Sequence, residues 1–138
     1  MNAHVSGITL GVEDVDRSKR FYSDGLGWKI EQEQGPWVAF RINDGSSVFG
    51  LLRADVLAGD TGVGAKNGDV SAGITFSYIV PTDERVDAVL AEAERAGGTI
   101  AKAAVREEWG GYGGYFADPD GYLWKVASGA GDQSFVAE

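Results

Sequence analysis

The sequence predicts an α+β fold built from two paired βαβββ modules that form a curved, cavity-enclosing mixed sheet. Three observations predict it. Gly7-Ile8-Thr9-Leu10 recurs as Gly73-Ile74-Thr75-Phe76, and each copy leads into a strand end, an acidic helix start and a glycine stop, so internal duplication is the economical explanation. Val86, Val89, Leu90 and Ala93 fall at helical spacing, an apolar stripe that must cover a sheet. Asp118-Pro119-Asp120-Gly121 separates two aromatic runs, which is the chemistry of a tight hairpin.

Taken in order, Val5 to Val12 alternates Ile8, Leu10 and Val12 with Gly7, Thr9 and Gly11, a strand with one apolar face. Asp14 or Asp16 caps a short helix through Val15, Ser18 and Tyr22 that stops at Gly25 and Gly27. Trp28 to Gln34, Trp37 to Asn43 and Ser47 to Leu52 read as a three-strand meander, turned at Gly35-Pro36 and Asp44-Gly45. Arg53 to Ser71 reads as a connection with one helical turn near Asp55 to Ala58 and an exposed tip at Lys66-Asn67-Gly68-Asp69. Thr82 then caps the second helix, Gly97-Gly98 ends it, and strands follow at Thr99 to Val105, Gly114 to Ala117 and Tyr122 to Ala127. The expected organisation is one domain over 1–128, with modules at about 5–55 and 72–127 and a flexible tail at 129–138.

Composition narrows the function. The 138 residues are enough for one domain with a real core, and no long uncharged apolar run marks a membrane span. No export signal is visible at the start, so the cytoplasm is the expected location. Cysteine is absent, which removes disulfides, thiolate nucleophiles and zinc-thiolate sites. With 21 acidic against 12 basic residues, the net charge of -9 disfavours nucleic acid and favours, slightly, a cationic small molecule over an anionic one. No Ser-His-Asp set can be built around the single histidine, His4, and no Gly-Lys-Ser or Gly-Lys-Thr phosphate loop is present.

The opening GITLGVEDVDRSKRFYSDGLGWKI and the closing GGYFADPDGYLWKVA, within a doubled βαβββ pattern, resemble the vicinal oxygen chelate superfamily, that of glyoxalase I, extradiol dioxygenases and fosfomycin- and bleomycin-resistance proteins. The likeness runs from about Val5 to Ala127. It implies a glyoxalase-like fold and a homodimer, and in metal-dependent members a ligand set of two His and two Glu. On this sequence those positions fall at Gly7, within Ser46 to Leu52, at Gly73 and at Lys125, and none carries a ligand. His4 shares the parity of Ile8 and Leu10 and reads as a solvated terminal residue. The expectation is therefore no metal and no other cofactor.

A cavity that lacks a metal can still bind a flat or partly apolar molecule. Candidate wall residues are Trp37, Phe49, Trp109, Tyr112 and Tyr115, of which Trp109 and Tyr112 are favoured because four glycines surround them in residues 108–114. For the other rings ordinary packing is the competing reading. Lys125, set opposite Tyr122, Trp124 and Val126 by strand alternation, is expected either to hold a ligand acid, to act as a tentative catalytic base or amine, or to form a structural ion pair with Glu31 or Glu33. Arg41 is a candidate to clamp the same acid, its alternative being a solvated sheet edge. Glu107-Glu108 reads as a solvated pair. The leading expectation is metal-independent binding of a small organic molecule, cationic or partly aromatic, for sequestration or resistance. Its rivals are a glyoxalase-like lyase or isomerase, working through Lys125 or an unrecognised metal site, and a degenerate dimer module.

Overall fold

The computed structural model describes residues 1–62, 73–108, 110–129 and 136–138. Two compact units divide the chain, Met1–Asn67 and Gly68–Glu138. Each holds a four-stranded mixed sheet that is open, not closed on itself. The expected tip at Lys66-Asn67-Gly68-Asp69 lies outside the described residues.

In the first unit β1 (Gly7–Val12), α1 (Val15–Arg20), β2 (Ile30–Gln34), β3 (Trp37–Ile42) and β4 (Ser47–Arg53) follow one another, and the sheet order is β1-β4-β3-β2. β1 lies parallel to β4, while β2, β3 and β4 form the expected antiparallel meander. Asp14 caps α1 by accepting from the Arg17 amide at 3.1 Å. The helix does not stop there but widens into a π-helical turn, Phe21–Gly25, in which the Leu26 amide donates to the Phe21 carbonyl. That extra residue lets Phe21 and Tyr22 both turn inward, with their rings edge-on at 4.9 Å and both side chains buried. Tyr22 then sits within 6.0 Å of Phe40, 5.2 Å of Phe49 and 5.0 Å of Trp28, the aromatic core of this unit.

The register assigns the two faces. Ile8, Phe49, Phe40 and Ile30 line up across the sheet on the α1 side, as do Leu10, Leu51 and Val38. The opposite face carries Gly7, Val48 and Arg41 in one row, Thr9, Gly50, Ala39 and Gln32 in the next, and Leu52 with Trp37 beyond. A helix, α2 (Ala54–Thr61), longer than the single turn expected, packs on the end of that face. Its Leu57 would be 3.2 Å from any Cβ added at Gly11.

The second unit repeats the plan with β5 (Thr75–Ile79), α3 (Asp83–Arg95), β6 (Thr99–Arg106), β7 (Tyr112–Ala117) and β8 (Leu123–Ser128), in sheet order β5-β8-β7-β6. Thr82 caps α3 by accepting from the Arg85 amide, and Val86, Val89, Leu90 and Ala93 are buried, the stripe read from the sequence. The β7-β8 turn is held by Asp118, whose Oδ1 accepts from the amides of Asp120 and Tyr122 at 2.9 Å each, while Gly121 takes φ +90. On the α3 side Trp124 stacks on Phe116 with an interplanar angle of 3° and lies 5.0 Å from Phe76.

Residues 136–138 differ from the flexible tail expected for 129–138. Val136 pairs with Ile79 at the edge of β5, and the Ala137 amide donates to the Ile79 carbonyl. Glu138 accepts from Arg85 through Nε and Nη2, both at 2.6 Å, and from the Tyr78 hydroxyl at 2.9 Å. Two apolar residues beside one acid gave no sign of this, because the partners lie far away in the chain. Burial first, and the bond to Glu138 second, push the Tyr78 phenol up to about 12. The paired Arg85 holds the Glu138 carboxyl below the usual carboxylate range.

A pH dependence of stability follows from these two groups. With an ordinary phenol near ~10 in the unfolded chain, the raised Tyr78 contributes stability that is complete below about pH 10 and lost as pH climbs toward about 12. Glu138, shifted the other way, contributes above its unfolded value, and that part is lost as pH falls through the lower folded value. Thermal unfolding followed from pH 8 to 12 should show a falling midpoint over the alkaline window, and Tyr78→Phe should flatten it.

Candidate functional site

The face of the second sheet turned away from α3 carries a mixed polar row. Cross-strand register places Ser77, Lys125, Tyr115 and Lys102 in one row across β5, β8, β7 and β6. Thr75, Leu123 and Ala117 form the row on one side of it, and Ile79, Ala127, Gly113 and Val105 the row on the other. Lys125 and Tyr115 are half-buried, whereas Ser77 and Lys102 are exposed. Lys102 lies 3.7 Å from Glu107, which comes from the turn after β6. Strand parity on β8 alone places Lys125 opposite Tyr122, Trp124 and Val126, as read from the sequence. Ser77 and Lys102 went unnoticed there, because parallel pairing and the two register shifts in β6 set their places.

The two carboxylates expected as structural partners of Lys125 are both engaged within the first unit. Glu31 accepts from Arg41 Nη2 at 2.7 Å and Glu33 from Lys19 Nζ at 2.7 Å. Arg41 lies on the face of its sheet away from α1, as its parity requires, and its guanidinium donates to Glu31 and, through Nη1, to the Gly45 carbonyl at 3.1 Å. Its partner in this structure is therefore an acid of its own unit. The same bond holds the Glu31 carboxyl below the usual range.

Trp37 also lies on the uncovered face of the first unit. Its indole spreads over Gly50 so closely that a Cβ there would overlap the ring, and its Nε1 donates to Gln32 Oε1 at 3.2 Å. A flat aromatic surface on a glycine-bearing strand is the result.

Phe49 is a correction. It is 1% exposed on the α1 side, 5.2 Å from both Tyr22 and Trp28, so it is core and not wall. Its strand alternates Phe49 and Leu51 inward, and the apolar run on both faces of β4 hid that phase in the sequence. Tyr112 is another. It opens β7 instead of sitting in a glycine loop, and it faces α3, where its hydroxyl donates to Asp87 Oδ1 at 2.8 Å and the Arg106 guanidinium lies 5.3 Å from its ring centre. It lines a shallow open groove of about 270 Å³ between α3 and β6, with Leu90, Ile100, Ala103 and Ala104, on the face opposite Lys125. Trp109 lies outside the described residues.

Next to Tyr112 a polar network ties the sheet to the start of α3. Ser128 Oγ donates to Asp83 Oδ1 at 2.6 Å, and Arg106 pairs with the other oxygen of Asp83. Ser128 first, and Arg106 second, hold the Asp83 carboxyl below its usual range. Every donor here has a carboxylate as partner, so the network fastens helix to strand.

A divalent metal does not fit the donor set at the positions implied by the resemblance. Gly7 and Gly73 offer no side chain, Ser46 to Leu52 holds no His or carboxylate, and Lys125 presents an ammonium group, which repels a cation. Among the described residues, no three His, Cys, Asp or Glu side chains come together. His4 is exposed.

Two sequential βαβββ units, each with a four-stranded mixed sheet packed on one face by α1 or α3, define a paired-module α+β protein. The sequence profile described as the Glyoxalase/Bleomycin resistance protein/Dioxygenase superfamily matches residues 3–126. The chain belongs to that superfamily. Its fold is similar to that of a glyoxalase-related enzyme from Fulvimarina pelagi, at 29% identity and a TM-score of 0.82 over 92% of this chain and 88% of that one. It is also similar to a glyoxalase/bleomycin resistance protein/dioxygenase from Nocardioides, at 18% identity and a TM-score of 0.77 over 96% and 89% of the two chains. The lactoylglutathione lyase of Agrobacterium tumefaciens matches at 20% identity and a TM-score of 0.67 over 94% and 96%. No curated protein matches the chain. Among the described residues no helix is long and apolar enough to cross a membrane.

Proposed function

We propose that this chain binds a small, partly aromatic organic molecule on its uncovered sheet faces without a metal ion, as a sequestering or resistance protein. The observation that carries the reading is the row Ser77, Lys125, Tyr115 and Lys102, which offers hydrogen-bond donors between two mainly apolar rows where a metal site would need anions. Trp37, laid flat over Gly50, supports an aromatic ligand by offering a ring face to stack on. Family names that include bleomycin resistance support sequestration as the physiological use.

The test joins metal analysis to ligand screening. Untagged protein is incubated with manganese, iron, nickel and zinc, freed of excess ion and assayed for bound metal, then screened by thermal shift against aromatic small molecules. Sub-stoichiometric metal, together with saturable stabilisation by compounds recovered unchanged, is the expected result. One metal per chain would overturn it, and so would conversion of a bound compound that Lys125→Ala abolishes, which would make the protein an enzyme.

A further inference from the structure

The groove between α3 and β6 has two unlike ends. Tyr112 closes one of them: its hydroxyl donates to Asp87 Oδ1 at 2.8 Å, and the Arg106 guanidinium, itself paired with Asp83, stands 5.3 Å from the ring centre. That end already holds a cation of the chain. Two turns further along α3, roughly 10 Å at a rise of about 1.5 Å per residue, Glu94 lines the other end. Glu94 is exposed, and among the described residues no donor or cation meets its carboxylate. Between the two ends Ala91 and Ala103 are exposed and Ile100 and Ala104 half-buried, an apolar strip with surface still open to a ligand. Glu94 also sits in the last turn of α3, where the negative end of the helix dipole disfavours a carboxylate. The neighbouring Arg95 is not part of the groove lining.

We propose that this groove binds a small organic cation with an aromatic body, its ammonium group against Glu94 and its rings laid along Ala91, Ala103 and Ala104 toward Tyr112. The site lies on the α3 side of the second sheet, opposite the face assigned above, and is a second site with its own ligand class. Its volume of about 270 Å³ falls just below the ~300 Å³ at which sites for drug-sized molecules begin, which suits an occupant of one or two rings. Charge selects the cation. The described residues that line the groove include two carboxylates and no lysine or arginine, and the net charge of -9 draws cations to the surface. An ammonium group at Glu94 meets both the carboxylate and the negative helix end, whereas an anion would meet repulsion from both. A neutral aromatic would cover the apolar strip and leave Glu94 unused. Because Glu94 is exposed, solvent screens the pair, so the charge should be worth only about threefold in affinity. Coverage of the apolar strip supplies the rest.

Calorimetric titration of the full chain with 2-naphthylmethylamine, 2-naphthylmethanol and 2-naphthoate tests this, with backbone amide shifts followed by nuclear magnetic resonance to locate the site. The amine should bind about threefold more tightly than the alcohol, and the acid most weakly. Shifts should be largest over 87–94 and 100–104. Glu94→Gln should lower affinity for the amine to that for the alcohol and raise the thermal midpoint slightly, since a carboxylate leaves the negative end of the helix. Weaker binding by a more stable protein is not a folding defect. Ala91→Met, which fills the groove from an exposed helical position, should weaken amine and alcohol alike. Equal binding of amine and alcohol, tighter binding of the acid, or unchanged amine affinity in Glu94→Gln overturns the proposal. Shifts confined to the row of Ser77 and Tyr115 also overturn it and place the amine on the opposite face, leaving the function proposed above intact. Failure of all three compounds to bind overturns this site, and the wider thermal-shift screen then decides the opposite face separately.

Discussion

Phe49→Ala lowers the stability of the protein by about 3–5 kcal/mol. The ring is 1% exposed and closes an aromatic cluster with Tyr22, Trp28 and Phe40. Truncation removes its transfer free energy and leaves a void that three large rings, held by the sheet and the π-helical turn, fill poorly. Urea unfolding followed by circular dichroism reads the loss. A cost under about 1 kcal/mol would mean that the ring is not core. A fall in ligand affinity with little change in stability would return it to the binding surface.

The contrast between Phe49 and Trp37 shows what the sequence makes legible. Trp37, Ala39 and Arg41 occupy alternate positions of β3 and lie on the face away from α1, as their parity indicates. Phe49 sits in Ser47–Arg53, where apolar residues occupy both parities, and only pairing with β3 and β1 decides which side is core. Helix caps at Asp14 and Thr82 and the Asp118 turn are local chemistry and were readable for that reason. Tyr112 was misplaced because glycines on both sides look like a loop. Gly113 and Gly114 in fact belong to β7, and the reason for glycine there is close approach of neighbouring strands, not a turn. In the row around Lys125, the facing of Lys125 follows from its own strand, whereas Tyr115, Ser77 and Lys102 are placed only by register between strands. Whatever depends on one strand's alternation is visible in the chain, and whatever depends on pairing waits for the sheet.

Gly114→Ala is expected to destabilise the second unit by about 1–3 kcal/mol and to loosen β6 selectively. A Cβ at this position would stand 2.7 Å from the Lys102 carbonyl oxygen, 2.9 Å from the Ala104 nitrogen and 3.0 Å from the Ala104 Cα. All three are backbone atoms, so no side chain can rotate away and β6 itself must shift. It can do so because its pairing to β7 is already irregular, with register shifts on both sides of Lys102. Hydrogen exchange should therefore accelerate over 101–105 while the buried turns of α3 keep their protection. Gly59→Ala supplies the control: that Cβ meets nothing within 4 Å in α2, and replacing a helical glycine should stabilise the chain by up to about 1 kcal/mol. Uniform loss of protection across α3 and β6 would instead mean that the unit tolerates no adjustment in β6, and the close approach at Gly114 would then be a fixed condition of the whole second fold.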